Sequence, residues 1–127
     1  MNSKSAVLLI AHGSREKGAN QEVRDLGSRL EQGLGGVRVI PCFLEIESPS
    51  IAEAFRLAAE EGRVSILAFP FFLSTGAHVK NDIPRLLMEC RKEFPRVEVT
   101  LTPALGPDPS LDRVILERIN QGGAVLE

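Results

Sequence analysis

The chain has no tryptophan and no tyrosine, and only two cysteines and two histidines among its 127 residues. Cys42 and Cys90 stand far apart, with none of the spacing of a zinc or thiol-redox motif, and they read as buried free thiols. The longest apolar runs, Ala6–Ala11 and Ile66–Leu73, are strand-sized. A bilayer span needs roughly 20 apolar residues, so no membrane partner is expected. Lys4 precedes a short apolar run that ends at His12 without a small-residue cleavage pattern, which predicts a cytoplasmic protein. Neither sign of charge dominates: 15 Lys and Arg face 17 Asp and Glu, a balance that excludes a generic grip on nucleic acid. Hydrophobic residues make up 43% of the chain, too many for disorder. With no linker, low-complexity tract or internal repeat, residues 1–127 are expected to form one domain.

What is present is an alternation of short apolar runs with amphipathic helical ones, the pattern of βαβ units around a parallel sheet. Ala6–Ala11 is apolar throughout, as a strand covered on both faces should be. Asn20 is placed to cap a helix with Val23, Leu26, Leu30 and Leu34 on one stripe, ended by Gly33, Gly35 and Gly36. Val37–Leu44 reads as the second strand, and Ser50 with Glu53 forms a capping-box pattern opening a helix that Gly62 stops. The third strand spans Val64 to about Phe72, with Pro70 predicting an irregular end. A third helix from about Asn81 carries Ile83, Leu87, Cys90 and Phe94 and closes at Pro95. Val97–Leu101 is the fourth strand, and Asp108-Pro109 opens a last helix with Leu111, Val114, Ile115 and Ile119 on its stripe. The expected fold is therefore a single-domain, three-layer, flavodoxin-like α/β unit. It has four parallel strands in the order 2-1-3-4 and helices on both faces.

That strand order places the chemistry. Winding reverses between strands one and three, and ligands of open α/β sheets bind at such a switch point, beyond the carboxyl ends of the strands. His12 follows strand one and His78 follows strand three, so both histidines are expected at one crevice. Neutral imidazole ligates divalent metals and accepts protons near neutral pH. Two nitrogens without a nearby thiol make an incomplete structural zinc site, which favours a metal bound only in passing. Glu45 and Glu47, in the loop after strand two, reach the same edge and can accept protons or help hold a cation. His12-Gly13-Ser14-Arg15-Glu16-Lys17-Gly18 lacks the spacing of a phosphate-binding fingerprint, and Ser14 is not in a nucleophile elbow. Strand alternation puts Phe69 and Phe71 on one face and Phe72 on the other, mostly as core. Arg15, Lys17, Lys80 and Arg85 can bring positive charge to the crevice.

Three segments also carry a family resemblance. They are Leu9-Ile10-Ala11-His12-Gly13-Ser14-Arg15, Phe43-Leu44-Glu45 to Pro49-Ser50, and Pro70-Phe71-Phe72-Leu73 through Gly76-Ala77-His78-Val79 to Asp82-Ile83-Pro84. Together they resemble the short form of the sirohydrochlorin chelatases, class II chelatases of cobalamin, sirohaem and related tetrapyrrole pathways. The resemblance covers nearly the whole chain. It implies a cobaltochelatase-like lyase that inserts a divalent metal into sirohydrochlorin without ATP or an organic cofactor, and that acts as a homodimer. Cobalt is the expected metal, with nickel and iron(II) as alternatives.

By the same resemblance His12 is the catalytic proton acceptor and a metal ligand, and His78 the second metal ligand. Glu47 and the run Ser74, Thr75, Gly76, Ala77, His78 and Val79 are implied macrocycle contacts. Glu45 is the neighbouring candidate proton acceptor, and the choice between Glu45 and Glu47 for substrate contact stays open. The chemistry suits these residues, because metalation removes two pyrrole N–H protons while the cation passes to the ring. A noncatalytic flavodoxin-like module that only holds a tetrapyrrole, flavin or metal ion is the competing reading. A phosphohistidine phosphotransferase is disfavoured by Ala11, where such enzymes place an arginine.

Overall fold

A computed structural model describes residues 1–127. Four strands, β1 (Ser5–Ala11), β2 (Arg38–Phe43), β3 (Ser65–Pro70) and β4 (Glu98–Leu101), form one parallel sheet in the order β2-β1-β3-β4. The helices are α1 (Lys17–Gly33), α2 (Ile51–Glu60), α3 (Ile83–Glu93) and α4 (Pro109–Gln121). The expected topology is what forms. β1 is buried along its whole length because both neighbours pair with it, Leu8 lying level with Ile40 on one side and Ala68 on the other. None of the helices is long and apolar enough to cross a membrane.

The period-two alternation of the strands divides the core between the two faces. Ala6, Leu8 and Ile10 join Ile66, Ala68, Phe55, Ile83 and Leu87 beneath α2 and α3, with Phe72 packed alongside. Val7, Leu9 and Val39 meet Val23, Leu26 and Leu30 of α1, with Phe69 and Phe71 alongside. The phenylalanines thus split between the faces as alternation requires. Cys42 and Cys90 are both free and buried in the larger cluster.

Helix ends follow local chemistry. The Ser50 hydroxyl accepts from the Glu53 backbone N–H at 3.1 Å, and the Glu53 carboxylate accepts from the Ser50 N–H at 2.8 Å, a complete capping box. Asp108 accepts from the Ser110 N–H at 2.8 Å, so Pro109 stands at the first helical position, where its missing N–H costs nothing.

Three features differ from expectation. α1 begins earlier, at Lys17, with Glu16 at its cap position, so Asn20 is not a cap but a buried residue in the first turn. The Ser14 hydroxyl closes the turn before the helix by accepting from the Glu16 N–H at 3.0 Å, which frees Asn20 for another task. α3 is preceded by one π-helical turn, His78–Asp82, which no residue pattern announces. Finally, α4 buries none of its residues: Val114 is 43% exposed, Ile115 54% and Ile119 69%. The apolar stripe that the spacing predicts is there, but it is not buried; Leu111, Val114 and Ile115 border an open hollow with Leu73.

Candidate metal centre

Parallel pairing of β1 with β2 continues past the strands and sets the first wall of the site. Leu44 N–H donates to the Ala11 carbonyl at 3.0 Å, and Glu45 N–H donates to the His12 carbonyl at 3.1 Å. Gly13 makes this approach feasible. Its φ of +98° is in the region that favours glycine, and a Cβ there would lie 1.9 Å from the Glu45 carbonyl oxygen. His12 and Glu45 are thereby held side by side, with Nε2 3.2 Å from the Glu45 carboxylate and Nδ1 3.2 Å from the Gly13 carbonyl. Both ring nitrogens of His12 therefore face oxygen acceptors. A neutral imidazole has one N–H to give, so it donates to one of these oxygens and its other nitrogen keeps a lone pair.

Ile46 separates the two glutamates. It adopts φ +73° in a tight turn closed by Glu47 N–H donating to the Glu45 carbonyl at 2.8 Å. Glu45 is sent toward His12, and Glu47 toward α1. The Glu47 carboxylate lies 3.0 Å from Arg24, accepts from Asn20 Nδ2 at 3.2 Å and accepts from Ser48 N–H at 2.8 Å. The Ser48 N–H, ahead of the Arg24 guanidinium, holds this carboxyl below the usual carboxylate range. Asn20 completes the brace by accepting from Ser14 N–H at 2.9 Å and donating to the Ser14 carbonyl at 2.7 Å. The loops after β1 and β2 are thus tied to each other and to α1.

The second wall follows β3. Phe71 N–H donates to the Ile10 carbonyl at 2.7 Å, after which Ser74, Thr75, Gly76 and Ala77 run exposed to the π-helical turn. Gly106 pins the base of this loop. Its N–H donates to the Phe72 carbonyl at 2.9 Å, and a Cβ on it would lie 2.2 Å from the Leu73 carbonyl oxygen. In the turn, the Asp82 carboxylate lies 2.7 Å from His78 Nδ1. A carboxylate can only accept, so this contact places the proton on Nδ1 and leaves the Nε2 lone pair for a metal. The rings of His78 and His12 lie 5.2 Å apart at centroid, tilted by 58°.

Of the residues singled out in the sequence, His12, Glu45 and His78 come together at the switch point. Glu47 does not face the histidines, being engaged with Arg24, Asn20 and Ser48. Ser74 to Ala77 line the exposed rim beside His78, and Val79 is half-buried in the π-helical turn. Arg15, Lys17 and Lys80 are exposed near this edge, while Arg85 pairs with Glu89 at 3.3 Å. No three His, Cys, Asp or Glu side chains are already set at metal-holding distances, so the cluster is open rather than a closed coordination sphere. A hollow of about 510 Å³ between α3 and β4 is lined by neither histidine. Sequence reasoning missed Asn20 as a brace and Asp82 as the partner of His78. Asp82 had a signal, since residues four apart in a helical run share a face; Asn20 had none.

Comparison with known proteins agrees with this architecture. The CbiX family model matches residues 6–122. A sirohydrochlorin ferrochelatase of Priestia megaterium is 38% identical over 117 residues, which are 91% of this chain and 44% of that protein. A sirohydrochlorin cobaltochelatase of Saccharolobus solfataricus is 30% identical over 123 residues, 91% of this chain and 93% of that protein. The chain therefore spans less than half of the first relative and nearly all of the second. In a solved structure, the sirohydrochlorin chelatase SirB from Bacillus subtilis subspecies spizizenii in complex with cobalt, 50% of the chain corresponds to 92% of this one. The TM-score is 0.86 and the identity 26%. The family match runs from β1 to the end of α4 and takes in both histidine loops: the chain belongs to the CbiX family.

Proposed function

We propose that this protein inserts a divalent metal ion into sirohydrochlorin without ATP, with His12, Glu45 and His78 as the groups that hand over the metal and take up protons. The observation that carries the reading is the meeting of two imidazoles and one carboxylate at an open sheet edge. Such a set can hold a cation without enclosing it, which suits a metal that is substrate rather than resident. Insertion releases two pyrrole protons as the ion passes to the ring nitrogens. His12 and Glu45, relieved of the cation between them, become the nearest acceptors for those protons. Arg15 and Lys80, exposed near the same edge, suit the carboxylates around the macrocycle. The Ser74–Val79 loop borders the ring beside His78. Glu47 acts through the brace that ties the loops after β1 and β2 to α1.

Cobalt is the metal favoured here, because the relative matched over nearly its whole length is a cobaltochelatase. Iron(II) is the second reading, supported by the ferrochelatase at 38% identity. The working unit is a cytoplasmic homodimer of one-domain chains, a reading supported by the unburied apolar stripe of α4.

The test follows the visible spectrum of sirohydrochlorin with purified protein and cobalt, nickel or iron(II), against metal and pigment alone. Acceleration proportional to protein, fastest with cobalt and lost in His78→Ala at unchanged thermal stability, is expected. Pigment that binds without faster metalation would show a carrier instead, and wild-type turnover in His78→Ala would remove that residue from the site.

A further inference from the structure

Ile46 combines two features that the fold does not need. It is a β-branched residue at φ +73°, a conformation that costs any side chain and costs a branched one most. It is also 59% exposed, so its apolar surface gains nothing from the core. Glycine in its place would remove both burdens while keeping the turn that separates Glu45 from Glu47. Across the site, Leu73 repeats the second feature. It is 70% exposed, yet its backbone is fixed by the close approach of Gly106. Sheet order puts β2 on one side of β1 and β3 on the other. Ile46 lies in the loop after β2 and Leu73 in the loop after β3, on either side of the loop that begins at His12, and Leu73 also borders a hollow of about 370 Å³ with Pro107, Leu111 and Ile115.

We propose that Ile46 and Leu73 are an apolar clamp that seats a flat macrocycle over the His12, Glu45 and His78 cluster, with Ile46 setting affinity for the ring. The proposal rests on the chelatase reading and adds to it the residues that recognise the ring rather than the metal. A planar, apolar-faced ligand lying across the edge would meet both side chains and cover surface that water now wets. The strain at Ile46 then has a use, because the turn lifts an apolar group to the rim beside the metal ligand Glu45.

The variants Ile46→Gly, Ile46→Leu and Leu73→Ser separate this role from a structural one. Ile46→Gly should melt no lower than wild type and bind cobalt in the absence of pigment as wild type does. Its KM for sirohydrochlorin should rise about tenfold, the worth of a lost buried aliphatic contact, with kcat little changed. Ile46→Leu, which keeps the bulk, should restore most of the affinity, and Leu73→Ser should raise KM in the same way. Unchanged KM in Ile46→Gly and Leu73→Ser would overturn the clamp. So would a fall in cobalt affinity that matches the rise in KM, since Ile46 would then act only by aiming Glu45. Should wild-type protein bind the pigment without metalating it, the chelatase reading fails, and the dissociation constant read from the visible spectrum replaces KM with the same expectations. Absence of pigment binding by wild type overturns both.

Discussion

The two walls of the candidate metal centre are built differently. The wall on β1 and β2 is tied at many points: backbone bonds run from Leu44 to Ala11 and from Glu45 to His12, and Asn20, Arg24 and Glu47 close a brace behind them. The wall on β3 is pinned at its base by Phe71 and Gly106. It then runs exposed through Ser74–Ala77 to a single π-helical turn, where Asp82 holds His78. Local opening is cheapest where few buried contacts must break. His12 and Glu45 are therefore the fixed half of the site, and His78 is the half able to yield when a broad ligand enters or leaves. The proposed metal transfer needs both properties, because a metal on its way to a ring must be held in a defined place and then released.

The most damaging way to break the contrast is to untie the fixed wall. Gly13→Ala adds a Cβ where the Glu45 carbonyl stands and forces a non-glycine residue to φ +98°. A displacement of about 1 Å at a reacting centre can cost 10²-fold, so metalation should fall about 100-fold. The rate of the visible spectral change measures it, and near-normal turnover would show that Glu45 need not be held against His12. On the yielding wall the corresponding change is Asp82→Ala. Loss of an outer partner of a ligating histidine typically weakens metal binding by about 10- to 100-fold. Cobalt titration calorimetry should show this, and Asp82→Asn, whose amide oxygen still accepts the Nδ1 proton, should recover much of it. Nitrogen NMR of His78 should show the Nδ1–H tautomer in wild type and its loss in Asp82→Ala. Equal cobalt affinity in all three proteins would mean that the π-helical turn alone orients the ring.

A smaller effect on turnover, and a larger one on stability, is expected from Asn20→Ala. It leaves the half-buried Ser14 N–H and carbonyl short of a partner, a loss of about 1 kcal/mol. Urea unfolding should show that loss, with turnover reduced only several-fold because the backbone bonds between the loops persist. A turnover loss as deep as that of Gly13→Ala would mean that the brace, rather than the backbone pairing, holds Glu45 in place.

How much of this was legible follows the same division. Sheet order, the meeting of the two histidines and the face split of the phenylalanines all descend from hydrophobic periodicity and strand polarity, which a sequence displays directly. The caps at Ser50 and Asp108 were legible because their partners lie within three residues. The choice between Glu45 and Glu47 was not. The two carboxylates are alike in sequence, and what distinguishes them is the backbone angle of Ile46 together with partners on α1, none of which spacing encodes. Asn20 looked like a cap because its type favours that role, but the earlier start of α1 reassigns it to the loops. The stripe of α4 was legible as a stripe; where it points depends on the path of the loop before it.

The finest contrast between the walls can be read from the two thiols beneath them. Cys42 lies in β2 under the fixed wall with no exposed surface, and Cys90 lies on α3, the helix that carries the yielding wall, with 8% exposed. Burial pushes both thiols up, helped at Cys90 by Glu93 and Glu89. A raised folded-state value contributes stability that is fully present below the unfolded thiol range, near 9.0, and is lost as pH climbs from there through the folded value. At pH 8 both groups are therefore neutral in the folded protein; a thiol reagent reaches Cys42 only through opening, while Cys90 keeps a little of its surface in solvent. If the wall on β3 and α3 opens by itself, Cys90 will be labelled first and Cys42 only at the rate of global unfolding, with mass spectrometry of timed samples giving the order. Simultaneous labelling would mean that the two walls open as one unit, and release of the metal would then have to come from ligand exchange at a rigid edge.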